Sequence, residues 1–226
     1  MLMPSKPATN TEVWEQIYRG GHRMWYPSEA LVRIVRRHEK LEGFAGTILD
    51  HGCGSGAAAE FLVRSGHKVV CTEVSEEALK IVRHRFAEAN LAEPQLVRID
   101  PAQPLASQLP AYDHLVAWFS VYYNTKTDMQ RQLASLIAGL PRQGAFIMAV
   151  PTVNDVAVRS CDVLPDGTRE MRRDISGQRG ALLAIPESVN ELRALCDGID
   201  IRDVVTFGMT FGGETSEYFA VYGVKR

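Results

Sequence analysis

Residues 47–62 read TILDHGCGSGAAAEFL, and this stretch decides the fold. A short apolar run, Ile48 and Leu49, ends in an acid, Asp50. Gly52, Gly54 and Gly56 follow at alternate positions, and an alanine-rich run begins after them. The order is strand, tight glycine loop, helix. Glycine adopts backbone angles that a Cβ forbids and lets a ligand come close to the main chain. The helix N-terminus behind it presents unpaired N–H groups. A dinucleotide fingerprint would space its glycines G-x-G-x-x-G. Here the spacing is G-x-G-x-G with an acid just before it. That carboxylate repels a pyrophosphate and suits a ligand carrying an ammonium group.

A chain of 226 residues is long enough for one well-packed domain and short for two. The formal net charge of -2 gives no electrostatic reason to expect a nucleic-acid partner. Arg33, Arg36 and Arg37 read as the solvated face of a helix. The four cysteines, Cys53, Cys71, Cys161 and Cys196, form no CxxC pair and have no histidine cluster beside them, so no metal site is expected. Isolated cysteines fit a reducing compartment. With no apolar signal core and no membrane-spanning run, a cytoplasmic location is expected. Nothing in the sequence sets the oligomeric state.

Outward from the loop toward the N-terminus, residues 1–10 are polar and read as loose. Residues 11–19 form a short helix with Trp14, Ile17 and Tyr18 on one face. The next stretch, GGHRMWYP (20–27), has two hinge glycines and the large rings of Trp25 and Tyr26. It reads as a lid over a bound ligand or as a cap on the sheet edge. Pro27 suits the first turn of a helix running to about Lys40, with Leu31, Ile34 and Val35 inward.

Toward the C-terminus, helix 57–64 stops at Ser65–Gly66. Strand 67–75 carries Glu73, about twenty residues past the loop, where βαβ nucleotide sites place the carboxylate that accepts ribose hydroxyls. Ser75 is an N-cap before a helix with Ala78, Leu79, Val82 and Phe86 buried. A third strand leads to Asp100. The fourth runs into an exit loop holding Trp118, Phe119, Ser120, Tyr122 and Tyr123, at the sheet edge where open α/β folds bind ligands. A helix from about Thr127 and a fifth strand ending near Pro151 follow. Residues 152–186 read as irregular loops or a hairpin with a D-G-T turn at Asp166–Thr168, on the substrate side. Ser188 and Glu191 make a capping box. Two strands, 201–207 and 216–224, close the chain around the loop GMTFGGET.

The acid followed by G-x-G-x-G, with Cys53 in the first gap, resembles the first motif of the class I S-adenosylmethionine-dependent methyltransferases. The resemblance covers residue 11 to the end. It implies an α/β, Rossmann-like class I methyltransferase fold: a seven-stranded, mostly parallel sheet, the last strand antiparallel, with helices on both faces. Residues 1–226 are then a single methyltransferase domain, with 1–45 as an N-terminal helical lid or extension and 152–186 as a substrate-side insertion. The turn Leu140-Pro141-Arg142-Gln143-Gly144 stands where L-K-P-G-G is usual in the family. Tyr122-Tyr123-Asn124-Thr125 is not the N-P-P-Y form, which argues against exocyclic base amines and glutamine amides as acceptors. The W-x-x-x-Y segment, the Tyr26-Pro27 pair and the D-G-T turn are also similar to small bacterial methyltransferases found beside surface-polysaccharide genes. His51, inside the loop, departs from the usual small or apolar residue.

The resemblance implies S-adenosyl-L-methionine as cofactor, held by Asp50 and the main chain of Gly52, Cys53, Gly54 and Gly56. Glu73, with Val74, is expected at the ribose, and Asp100, with Pro101, at the adenine. Trp118, or Trp25 and Tyr26 from the lid, would face the sulfonium by cation–π attraction. The expected reaction is methyl transfer to an oxygen or nitrogen of a polar small molecule, a sugar or glycan precursor among the candidates. A hydroxyl acceptor needs a base, and His22, Tyr122, Tyr123 and Glu214 are the candidates. The alternatives are a nicotinamide-dependent oxidoreductase and a non-catalytic methyltransferase-like binding domain.

Overall fold

The structure is a computed structural model that describes residues 10–226. The expectation for the first ten residues lies outside it, except for Asn10, which opens the first helix. In chain order the elements are α1 (Asn10–Arg19), α2 (Glu29–Leu41), β1 (Thr47–His51), α3 (Ala57–Arg64), β2 (Lys68–Glu73), α4 (Glu76–Glu88), β3 (Gln95–Arg98), β4 (His114–Trp118), α5 (Lys126–Gly139), β5 (Ala145–Pro151), α6 (Val156–Arg159), β6 (Cys161–Val163), β7 (Arg169–Met171), β8 (Leu182–Leu183), α7 (Val189–Leu195), β9 (Ile199–Phe211) and β10 (Glu214–Lys225).

The main sheet has seven strands in the order β3-β2-β1-β4-β5-β10-β9. β1 through β5 pair in parallel, and β10 is antiparallel to both of its neighbours. This is the Rossmann-like class I methyltransferase sheet that the sequence implies. Successive side chains leave a strand on opposite faces, so Ile48 and Leu49 of β1 enter different cores. Ile48 joins the cluster with Leu31 and Val35 of α2, Leu62 of α3, and Val82 and Phe86 of α4. Leu49 joins the cluster with Met129, Leu133 and Leu136 of α5 and Leu192 of α7. Both faces are therefore covered by helices, as near-continuous apolar parallel strands require.

Three local expectations change. α2 begins at Glu29 with Ser28 as its N-cap, so Pro27 lies before the helix and not in its first turn. Ser28 is extended, with φ −61 and ψ 133, and residues 22–27 run as a strap ahead of it. The stretch GMTFGGET is not a loop. β9 and β10 continue through it, leaving only Gly212 and Gly213, with φ +59 and +83, as the turn. Positive φ at both central residues matches the twist of antiparallel strands, and the flanking β-branched and aromatic residues extend the pairing. Tyr218 of β10 pairs with Pro151, the last residue of β5, so the hairpin tip overhangs the C-terminal edge of the sheet. Finally, 152–186 is more ordered than its composition suggests. It holds α6 and a separate three-stranded antiparallel sheet, β6-β7-β8, whose first hairpin turns at Asp166–Thr168.

Candidate functional site

Strand order reverses between β1 and β4, so the loops that leave their C-terminal ends diverge and open a crevice there. A cavity of about 260 Å³ fills it. Its floor is the turn after β1. Gly52, Gly54 and Gly56 have φ +67, +54 and +80, all left-handed. Each also faces a neighbour that a Cβ would strike. The ideal Cβ of Gly52 falls 2.4 Å from Ser120 Cβ, that of Gly54 2.5 Å from the Tyr18 hydroxyl, and that of Gly56 3.0 Å from Val82. The Gly52 and Cys53 amides donate to the Thr72 carbonyl at 2.7 and 3.1 Å, which ties the turn to β2.

Asp50 is buried at the head of this turn. Its Oδ2 has no hydrogen-bond partner among the described residues, nor have Nε1 of Trp118, the last residue of β4, and Oγ of Ser120 just beyond it. An unpartnered buried carboxylate oxygen is costly unless something supplies the missing donor. Burial pushes the Asp50 carboxyl up to about 7; the nearby Glu73 charge adds to this, while the Ala59 amide opposes it. The residues therefore fit a ligand with an ammonium group and a backbone-hugging chain.

Glu73, at the end of β2, is buried beneath the turn. Its Oε2 accepts from the Gly54 amide at 3.0 Å, and its Oε1 from Val74 at 2.7 Å and Ser75 at 3.0 Å. Burial raises its pKa, against the pull of those three amides. Glu73 thus shapes the turn before it meets any ligand.

The roof comes from the N-terminal segment. Glu15 of α1 accepts from the Ser75 hydroxyl at 2.6 Å and sits on the start of α4. Tyr18 on the next turn faces Gly54. The strap behind it is pinned from below: the Met24 amide donates to Ser55 Oγ at 2.9 Å, and buried Arg85 of α4 donates to the Met24 and Trp25 carbonyls while pairing with Glu60 at 2.7 Å. The remaining wall is aromatic. Phe119 and Tyr218 meet at 4.5 Å, Trp14 and Tyr123 at 4.6 Å, and Trp118 stacks on Phe207 at 5.6 Å between ring centroids.

Of the residues singled out in the sequence, His22, Asp50, Gly52, Cys53, Gly54, Trp118, Tyr122 and Tyr123 line this cavity. Gly56 and Glu73 lie directly behind its floor. Tyr26 does not line it; the ring points outward and is 82% exposed, and Trp25 is 65% exposed. Val74, Asp100 and Pro101 lie beyond the cavity, past the ends of β2 and β3, where Asp100 Oδ1 accepts from the Ala102 amide at 2.9 Å. Glu214 sits at the hairpin tip in an ion pair with Arg173. Burial raises the hydroxyl pKa of Tyr122 and Tyr123, which keeps both protonated. Sequence reading missed the wall formed by Trp14, Tyr18, Gln178 and Tyr218. The helical spacing of Trp14 and Tyr18 was the available signal, and it pointed only to a packed face. His51 proves structural. Its Nδ1 bonds Thr72 Oγ1 at 2.9 Å, it also meets Gln132, and burial lowers its pKa to about 4.

Residues 48–144 match the family model described as Methyltransferase domain. A ribosomal RNA small subunit methyltransferase A of Lysinibacillus sphaericus is 27% identical over 128 residues, 55% of this chain. The chain spans less than half of that relative's length, 43%. Among solved structures, an S-adenosylmethionine-dependent methyltransferase from Anabaena variabilis superposes with TM-score 0.69 at 14% identity, covering 100% of this chain and 99% of that one. The N-methyltransferase NodS of Bradyrhizobium japonicum, in complex with S-adenosyl-L-homocysteine, superposes with TM-score 0.62 at 15% identity over 93% of this chain and 98% of its own. Among the described residues no helix is long and apolar enough to cross a membrane, and no group of three or more His, Cys, Asp or Glu could hold a metal ion. Residues 48–144 match the methyltransferase-domain model, and the sheet around them has the class I methyltransferase fold.

Proposed function

We propose that the chain transfers the methyl group of S-adenosyl-L-methionine to an oxygen or nitrogen of a polar small molecule. The observation that carries this reading is the free Oδ2 of buried Asp50 beside a left-handed glycine turn on the floor of the cavity. A sugar or glycan precursor is the finer reading, supported by the similarity of the W-x-x-x-Y, Tyr-Pro and D-G-T segments to methyltransferases of surface-polysaccharide genes.

In this reading Asp50 accepts the ammonium group and the Gly52–Gly54 main chain, with Cys53, lies along the amino-acid end. Glu73 and Val74 take the ribose, and Asp100 with Pro101 the adenine. Gly56 keeps α3 close behind the turn. Trp118 offers a ring face to the positive sulfur. Tyr26 would contribute only from the outer side of the strap. The bound cofactor supplies a methyl already activated by the sulfonium: a carbon–oxygen or carbon–nitrogen bond forms as carbon–sulfur breaks, its electron pair staying on sulfur. The chain's own part is to hold the acceptor in line and exclude water, effects worth several kcal/mol. His22 is the base in this reading when the acceptor is a hydroxyl. It alone of the four candidates puts a basic nitrogen on the cavity wall, whereas Tyr122 and Tyr123 keep their protons and Glu214 is paired at the hairpin tip.

We also read 1–226 as one domain, with the segment to residue 45 as its lid and 152–186 on the substrate side, since Trp14, Tyr18 and Gln178 all border the cavity. Four free cysteines agree with a reducing, cytoplasmic setting. The relative named for ribosomal RNA makes a polynucleotide the rival acceptor, and the net charge of -2 weighs against it.

Calorimetry with S-adenosylhomocysteine and with NADH separates this reading from a nicotinamide-dependent oxidoreductase. Release of S-adenosylhomocysteine across a panel of sugars, nucleotide-sugars, amines, phenols and RNA separates it from a non-catalytic binding domain. Glu73→Ala is expected to weaken S-adenosylhomocysteine binding by about 2 kcal/mol or more, roughly thirtyfold. Unchanged affinity would remove Glu73 from the ribose site.

A further inference from the structure

The acceptor end of the cavity has a chemical character that the methyl-transfer reading leaves open. Opposite the glycine turn the wall is built from ring faces: Trp14 and Tyr123 meet edge to face, Tyr122 and Tyr123 lie 4.3 Å apart, and Phe119 lies against Tyr218. Among the described residues no lysine or arginine lines the cavity, and the acid that does, Asp50, belongs to the cofactor end. An anionic acceptor would have to leave water for a place with no cation, close to Asp50 and to the electron-rich faces of several rings. A phosphate or carboxylate there is disfavoured on both counts.

Beside His22 and the tyrosine hydroxyls, which can accept as well as donate, the wall carries groups that can only donate. Gln178 accepts from the Tyr123 hydroxyl through Oε1 at 3.0 Å, and this fixes which end of its amide is spent. Its Nε2 makes no hydrogen bond among the described residues and is left as a neutral donor. Trp118 carries a second N–H that is buried and unpartnered. Neutral donors between ring faces call for lone pairs on a flat, uncharged body, whereas an ammonium would meet them donor to donor.

We infer that the acceptor is an uncharged, flat ring compound bearing a lone-pair oxygen or nitrogen beside the methylated atom, and not a phosphorylated sugar or a nucleotide-sugar. The inference rests on the methyltransferase reading and departs from its sugar alternative, because a saturated sugar ring is not flat. Ring stacking supplies most of the recognition, and Gln178 sets the orientation through one hydrogen bond.

The test uses the full chain saturated with S-adenosylhomocysteine and compares catechol with 2-hydroxyphenyl phosphate by calorimetry. Catechol is expected to bind at least tenfold tighter. Gln178→Leu is expected to weaken catechol about fivefold, and Gln178→Lys to narrow or reverse the preference against the phosphate; S-adenosylhomocysteine affinity, read in the same titrations, shows that each variant is folded. Equal or tighter binding of the phosphate, binding of neither probe, or a preference that Gln178→Lys leaves untouched overturns the inference while the cofactor reading stands. Failure of the unaltered chain to bind S-adenosylhomocysteine overturns both.

Discussion

Asp50 lives under two opposed demands. Its ordinary carboxyl value is 3.8, and burial together with Glu73 lifts it to about 7 in the free protein. Between those values the folded chain keeps a proton that the unfolded chain has released. This group therefore makes the free protein less stable as pH rises through that window, by up to about 4 kcal/mol. An ammonium beside it reverses the preference, because the ionised form is the one that binds. S-adenosylhomocysteine affinity should rise about tenfold between pH 5.5 and 7 and level off above that. Asp50→Asn should flatten the profile and weaken binding at neutral pH by about 2 kcal/mol; calorimetry across the range reads both. The acid and the three glycines were legible in the sequence because each is dictated locally, by a backbone angle or a charge. Gln178 and Tyr218 were not, because their place on the wall depends on how distant strands close.

At the scale of elements, the strap over residues 22–27 illustrates the same limit. Its glycines and rings suggested a covering segment, and what fastens it is Arg85, some sixty residues away. No periodicity in α4 distinguishes that arginine from a solvated one. It is nonetheless buried, paired with Glu60 and spent on two strap carbonyls. Arg85→Ala should release the strap and leave the sheet intact. Amide exchange at residues 22–27 would speed up by about tenfold or more while β1, β4 and β5 stay protected, and stability would fall by about 2–3 kcal/mol. Uniform loss of protection would mean that Arg85 supports the core instead. The long hairpin was legible in kind and not in extent. In sequence its tip reads as a broad loop, although two left-handed glycines suffice to turn the chain.

Across the whole molecule, a mostly parallel sheet with helices on both faces followed from the alternation of strands and helices, and the strand order became plain only in the structure. The histidines could not be placed that way. His51 of β1 is buried, as are His114 of β4 and its neighbour His38 of α2, and burial lowers the pKa of each, that of His51 to about 4. A histidine depressed below its unfolded value of 6.5 is protonated more readily in the unfolded chain, so its stabilising contribution is present above 6.5 and drains away as pH falls toward 4. For His51 the loss amounts to about 3 kcal/mol. Urea unfolding of wild type and His51→Gln at pH 7 and pH 4.5 should show the wild type losing about 2 kcal/mol more than the variant, most of that loss. Parallel losses would mean that acid sensitivity lies with His38 and His114.

β10 is the last strand in the chain, yet it sits inside the sheet, between β5 and β9. While the polypeptide is still being made, the flank of Ala145–Pro151 has no neighbour until Glu214–Lys225 emerge from the ribosome. Folding of this half is therefore postponed until that later segment is out, and the growing chain meanwhile offers a sticky ribbon to any other strand nearby. A stop codon after Gly213 would not trim a margin but remove an inner stave, and such a product should be found in the insoluble fraction.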